Sequence, residues 1–152
     1  MSLDSVRDQL ARIAPDIGII HHELSTATVQ DAALAHGCEP GQIAKTLSVR
    51  VGEAVVLVVA RGDARLDNKK ARAALGAKPR MLGAGEVEAI TGHPVGGVTP
   101  FGLASALPVY CDVSLRDFAE VIPAAGNRNS SIRIAPERLA VLTGAQWVDV
   151  CE

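Results

Sequence analysis

One lysine of this chain stands where an alternating pattern calls for an apolar side chain. Across Gln42 to Val51, Ile43, Leu47, Val49 and Val51 fall on one side of a period-two ribbon, and Gln42, Ala44, Thr46, Ser48 and Arg50 fall on the other. Lys45 lies on the apolar side. With Ile43 and Leu47 two residues away, its ammonium either snorkels to water at a strand end or stands in a pocket where it meets something anionic. An ammonium on an apolar wall can hold a phosphate or carbonyl oxygen and stabilise negative charge as it develops. If desolvation lowers its pKa far enough it can act as a base, and the sequence leaves both roles open.

A second stretch with chemical potential is Gly96-Gly97-Val98-Thr99-Pro100-Phe101-Gly102. Its three glycines permit close backbone approach to a ligand and Pro100 stiffens the loop, although the same residues also suit a tight turn. Thr46, Thr99, Asn129 and Ser130 are candidate polar positioners. No Ser-His-Asp or Cys-His pairing stands out to supply a nucleophile. The Lys45-Thr46 pair does not make a phosphate loop, because Ala44 holds the position where that motif needs glycine. His21 and His22 are adjacent without a second ligand at helical spacing, so they read as loop histidines. Cys38, Cys111 and Cys151 are far apart and read as free thiols, and no metal or cofactor motif is present.

The elements that must position these residues can be drawn from periodicity and capping. Leu3, Val6, Leu10 and Ile13 are spaced as a helix, and Pro15 follows it. Ile17 to His21 reads as a strand. Thr28 resembles an N-cap for a helix from Val29 to His36 closed by Gly37. The run Ala54 to Ala60, apolar on both faces, reads as a central strand joined to the Lys45 strand through a turn at residues 50 to 53. Asp67 caps a helix from Asn68 to Leu75, and a shorter one runs from Gly85 to Thr91. Strands are expected at 107 to 113, 118 to 123, 130 to 135 and 146 to 150, with a hairpin turn at Gly126 to Asn129. Pro136 opens a last helix over 137 to 142.

Composition narrows the function classes. The chain has 152 residues, 48% hydrophobic and 21% charged, which fits one compact domain over residues 1 to 152. No apolar run reaches a membrane span and the amino terminus lacks a signal-peptide layout, so a cytoplasmic location is expected. The net charge is −2, yet residues 61 to 80 carry seven basic side chains against two acidic ones, a local charge of +5. Arg61, Arg65, Lys69, Lys70 and Arg72 are therefore candidate contacts to a polyanion, although an ordinary solvated helix face explains part of the excess. With 3% aromatic residues there are few stacking platforms, which argues against DNA as a partner.

Gly41-Gln42-Ile43-Ala44-Lys45-Thr46-Leu47, followed some fifty residues later by Gly96-Gly97-Val98-Thr99-Pro100-Phe101-Gly102, resembles the YbaK family, similar to the editing domain inserted in bacterial prolyl-tRNA synthetases. The resemblance runs from about Thr28 to Gly144. It implies an α+β fold, a twisted, mixed and largely antiparallel sheet with flanking helices. The implied activity is that of a free-standing, trans-editing aminoacyl-tRNA deacylase, hydrolysing the ester on mischarged tRNA. It further implies that Lys45 is the principal functional side chain and that Gly96 and Pro100 shape the aminoacyl pocket. The chain departs from the alanine-editing branch in having no histidine within Ala124 to Asn129, so no histidine role carries over there.

An aminoacyl ester is already activated, so direct attack by water on an ester held and polarised at Lys45 is the expected chemistry. The expected substrate-binding set is Thr46, the loop from Gly96 to Gly102, Asn129 and Ser130. Two other readings stand beside the deacylase: a non-catalytic RNA-binding or synthetase-associated module on the same fold, and a DNA-binding protein. The net acidity suggests that a deacylase here borrows affinity from a synthetase or an elongation factor.

Overall fold

The β-branched run Val55-Val56-Leu57-Val58-Val59 favours an extended chain, and it lies at the centre of the sheet. Strand β2 (Ile43–Val51) and strand β3 (Ala54–Arg61) form an antiparallel hairpin in continuous register from Ala44↔Arg61 to Val51↔Ala54. Gly52, at φ +62, takes the left-handed position that the two-residue turn requires. The chain is described here by a computed structural model covering residues 2–152.

The other elements in chain order are α1 (Ser2–Ile13), β1 (Ile20–His21), α2 (Val29–His36), α3 (Asn68–Leu75), β4 (Arg80–Met81), α4 (Ala84–Thr91), β5 (Val109–Asp112), β6 (Ile122–Pro123), β7 (Ser130–Ser131), α5 (Pro136–Thr143) and β8 (Gln146–Val148). The main sheet runs β4-β2-β3-β5-β8, and β6 also pairs with β2. It is mixed. The long β2–β3 ladder and β2–β4 are antiparallel, whereas β3–β5, β5–β8 and β2–β6 are parallel. A separate antiparallel pair joins β1 to β7. The α+β class expected from the sequence is therefore the class observed, with more parallel pairing at its flanks than the hairpins alone suggested.

Both faces of β3 are covered, as its unbroken apolar run predicts. Leu57 and Val59 pack with Val6 and Leu10 of α1, Leu139 of α5 and Phe101. Val56, Val58 and Ala60 pack on the opposite face with Val49, Ala71 of α3, Val150 and Cys151. A smaller cluster joins Ala32 and Ala33 of α2 to Ile43 and Ile122. Thr28 caps α2 by accepting the Asp31 N–H at 3.0 Å, and Asp67 caps α3 by accepting from Lys69 and Lys70 at 2.9 and 3.0 Å.

The late strands are shorter than their apolar runs. Pro108 and Pro123 lack the N–H a ladder needs, and residues 113–117 wind into a 3-10 turn before β6. Beyond β6 and β7 the pairing survives only as single bridges, Val121↔Ile134 and Ala124↔Ser131.

Gly102 shows why the 96–102 loop is glycine-rich for reasons of packing. It lies at φ +60 against α1, where an added Cβ would sit 2.5 Å from Val6 N. Its N–H donates to Gln9 Oε1 at 2.5 Å, and its carbonyl accepts from Ser5 Oγ at 2.8 Å. Gly102→Ala should therefore lower stability by roughly 2–5 kcal/mol through left-handed strain plus a backbone clash. Gly76→Ala, at φ +94 with open space around it, should lose about 1–2 kcal/mol from strain alone. Urea denaturation of the two variants checks the difference.

Candidate functional site

On the side of β2 away from β3, β6 pairs with Ile43 and Ala44 and β4 pairs with Val49 and Arg50. Between them, residues 45–48 have no strand beside them among the described residues. A cleft of about 280 Å³ opens at this gap. Its walls include Ala44, Thr46 and Ser48 of β2, Thr26 and Ala27 of the segment before α2, Met81 of β4, Val95, Gly96 and Val98 of the glycine loop, and Ser131 of β7. Lys45 is the one charged residue on its walls.

The register sets the direction of each β2 side chain. Lys45 stands opposite Ala60 and shares its face with Leu47 and Val49, while Thr46 and Ser48 point to the other face. The Lys45 ammonium turns to the turn after β3 and donates to the Ala64 carbonyl. Burial pushes its pKa down, the Asp63 carboxylate pushes it up, and Arg65 opposes that. The hydroxyls of Thr46 and Ser48 are buried without a protein partner. Ser48 O accepts the Leu82 N–H at 3.3 Å, so the backbone groups of Ser48, and by alternation those of Thr46, face the gap.

The turn that holds Lys45 is itself held by Arg61. Its guanidinium meets Asp63 at 2.6 Å, Asp117 at 2.9 Å and Glu39 at 3.8 Å, and lies 5.0 Å above the Phe118 ring. Ala64 N closes the turn on Arg61 O at 3.0 Å. Arg61, expected on a polyanion-facing surface, is thus engaged by three carboxylates and an aromatic face. Lys70 is likewise occupied, donating to Asp149 at 3.2 Å and to Cys151 O at 3.0 Å. Arg65, Lys69 and Arg72 are exposed and form no ion pair among the described residues.

The glycine loop divides its work. Gly96 and Val98 line the cleft; Gly96, at φ +93, leaves room for Ala27, whose Cβ would be 2.8 Å from an added Cβ. Gly97 makes way for the Asn127 backbone, and Gly126 N donates to Gly97 O at 3.0 Å. Thr99, Pro100 and Phe101 are buried, and Pro100 and Gly102 border a different groove beside α1. Asn129 and Ser130 stay outside the cleft: Asn129 Nδ2 donates to His22 O at 2.9 Å, and Ser130 Oγ lies 2.8 Å from His21 Nδ1.

Two residues here escaped the sequence reading. Ser131 lines the cleft, and its Oγ is 2.7 Å from Nε2 of His36, the last residue of α2. The two lie 95 residues apart, so no local spacing could reveal the pair. His22 Nε2 is 3.2 Å from the same His36 nitrogen. Behind His36 stands a cation, Arg133, 3.5 Å from Nδ1, so no Ser-His-carboxylate triad forms.

A cleft with one partly desolvated ammonium, orphaned hydroxyls and free strand-edge backbone is the equipment of a hydrolase for an ester that is already activated. The comparisons with known proteins point the same way. The aminoacyl-tRNA editing domain profile matches residues 23–142, and the chain belongs to that family. It is 47% identical to the uncharacterized protein YwhH of Bacillus subtilis (strain 168), with 100% of this chain and 98% of YwhH covered. It is 35% identical to EbsC of Enterococcus faecalis (strain ATCC 700802 / V583), provisionally named a Cys-tRNA(Pro)/Cys-tRNA(Cys) deacylase, covering 81% of this chain and 76% of EbsC. A crystal structure described as a candidate trans-editing enzyme for prolyl tRNA synthetase superposes with a TM-score of 0.91 at 35% identity, over 99% of this chain and 97% of that one.

The thiols have the setting of bystanders. Burial raises the pKa of Cys111 and of Cys151 to about 12 and pushes the Cys38 thiol up as well. A thiol-reactive probe at neutral pH should label the native protein at Cys38 at most, and all three sites after denaturation. A variant with the three cysteines replaced by alanine or serine should keep its turnover of a mischarged tRNA; complete loss in a folded variant would point to a covalent mechanism.

Proposed function

We infer that this chain is a trans-editing deacylase that hydrolyses the ester joining a wrong amino acid to the terminal adenosine of tRNA. The observation that carries this reading is Lys45: one ammonium, half-buried on an apolar strand face, at the unpaired edge that floors the cleft. Family membership supplies the substrate class. With no other charge on its walls, the cleft suits an amino acid with a small uncharged side chain.

In the reaction a water oxygen adds to the ester carbonyl, the carbon–oxygen bond to the ribose breaks, and a proton from the water ends on the ribose oxygen. Lys45 exchanges the Ala64 carbonyl for the oxygen that becomes negative. Its long, flexible stem permits that move, and its partial desolvation strengthens the attraction once made. The Thr46 hydroxyl and the edge backbone of Thr46 are placed to orient the ester. Gly96 and Val98 close the wall over it, while Gly97, Thr99, Pro100, Phe101 and Gly102 act from behind by fixing the loop, and Asn129 and Ser130 by fixing the hairpin.

The tRNA body lies along Arg65, Lys69 and Arg72, three basic residues of the 61–80 segment that form no ion pair among the described residues. A protein of net charge −2 offers few other phosphate contacts, so a synthetase or an elongation factor supplies part of the affinity. The expected setting is the cytoplasm, where charged tRNA is used; no helix among the described residues is long and apolar enough to cross a membrane.

Lys45→Ala should keep the fold and lose roughly 10²-fold or more in deacylation rate. Turnover of a panel of mischarged tRNAs, with circular dichroism as the control for folding, tests this; near-normal turnover by the folded variant removes Lys45 from the mechanism. Charge reversal at Lys69 and Arg72 should weaken tRNA binding and flatten its salt dependence, with a log–log slope change of roughly 0.7–0.9 per lost contact. Hydrolysis of a minimal aminoacyl-adenosine ester should stay nearly constant in the same variant. Unchanged tRNA affinity and slope would place the tRNA on another face.

A further inference from the structure

Four side chains link the surface to the inner wall of the cleft. Glu120 Oε1 accepts from Arg133 Nη1 at 3.4 Å, and Arg133 Nη2 approaches His36 Nδ1 at 3.5 Å. His36 Nε2 lies 2.7 Å from Ser131 Oγ. An arginine can only donate, so Nδ1 of His36 accepts and the ring hydrogen resides on Nε2. His36 therefore donates to Ser131, with His22 Nε2 at 3.2 Å taking a minor share of the same hydrogen. Burial, with the nearby His22 and Arg133, keeps the ring neutral by pushing its pKa below the usual histidine value.

This orientation decides what Ser131 can do. Its oxygen is already an acceptor from His36, so its own hydrogen is left to donate, and no other hydrogen bond engages its hydroxyl among the described residues. The residue is buried to 2% exposure yet lines the cleft, so the free hydrogen has the substrate as its available acceptor. Each donor in the series polarises the next, and the effect is larger away from water. A Ser-His pair used for nucleophilic attack would run in the opposite sense, with the histidine accepting the serine proton.

Resting on the deacylase reading, we propose that the Ser131 hydroxyl is a fixed hydrogen-bond donor to an oxygen of the bound aminoacyl ester, and that His36 is the positioning residue that holds it in the donating sense. No bond to Ser131 forms or breaks. Its hydrogen bond strengthens as the ester oxygen gains negative charge, so it acts on the chemical step more than on binding.

The test is a double-mutant cycle on a mischarged tRNA that the wild type hydrolyses. Ser131→Ala should lower kcat roughly 100-fold with little change in KM, at the lower end of the loss seen when one oxyanion donor is removed. His36→Leu should lower kcat by a similar factor. His36→Gln, whose amide can still donate to Oγ, should restore most of it. The double variant Ser131→Ala/His36→Leu should be no slower than Ser131→Ala, because His36 acts only through Ser131. Should Ser131→Ala fail to fold, Ser131→Cys, which keeps the volume with a weak donor, should show the same kcat loss in smaller measure.

Wild-type kcat in a folded Ser131→Ala, with Lys45→Ala inactive, overturns this proposal and leaves the deacylase reading standing. Additive losses in the double variant, or no recovery in His36→Gln, make His36 a structural residue and overturn its part. If the wild type hydrolyses no mischarged tRNA in the panel, both readings fall together.

Discussion

The register of the β2–β3 hairpin is the constraint on which everything else depends. Pairing Lys45 with Ala60 sends the ammonium toward the turn after β3 and sends Thr46 and Ser48 to the other face. A slip of one residue would carry Lys45, Leu47, Val49 and Val51 together to the face covered by α1 and α5, and Thr46 and Ser48 to the face beneath α3. The two core clusters prevent that slip, because Val56, Val58 and Ala60 fit beneath α3 while Leu57 and Val59 fit beneath α1 and α5. Packing on both faces of β3 therefore fixes where one ammonium lies.

Around that strand the polar groups are arranged by who holds them. Arg61 is consumed by Asp63, Asp117 and Glu39, and in being consumed it shapes the turn whose Ala64 carbonyl receives Lys45. Arg133 is consumed by His36 and Glu120, and so backs the histidine that meets the Ser131 hydroxyl. Arg61, a surface charge by its sequence, and Arg133 act as struts behind the site. The hydroxyls of Thr46 and Ser48 have no protein partner.

The sequence exposed what periodicity and capping encode. Lys45 broke an alternation, Ala54 to Ala60 announced a strand covered on both faces, and Thr28, Asp67 and Gly37 marked helix ends that the structure places at those residues. Long-range pairing was not legible. Ser131 meets His36 across 95 residues of sequence, and Cys151 is brought to the neighbourhood of Lys45 by its bridge to Leu66 and the Lys70 hydrogen bond to its carbonyl. Within the glycine loop the residues differ: Gly96 lines the cleft, whereas Gly97 and Gly102 accommodate other backbone. Nothing in the string of residues distinguishes a glycine beside a ligand from a glycine beside a helix.

The gap in β2 also limits what can enter. Four residues of strand span roughly 13 Å, and the gap is closed at one end by β6 and at the other by β4. An extended polypeptide that tried to add itself as a strand would collide with one of these neighbours before it could form a continuous ladder. Unpaired edges invite that kind of association, in aggregation as in peptide capture. A short, bounded gap keeps its hydrogen-bonding groups available to a compact guest and denies them to another chain, so selection against polypeptides is built into the sheet before any side chain of the cleft is consulted.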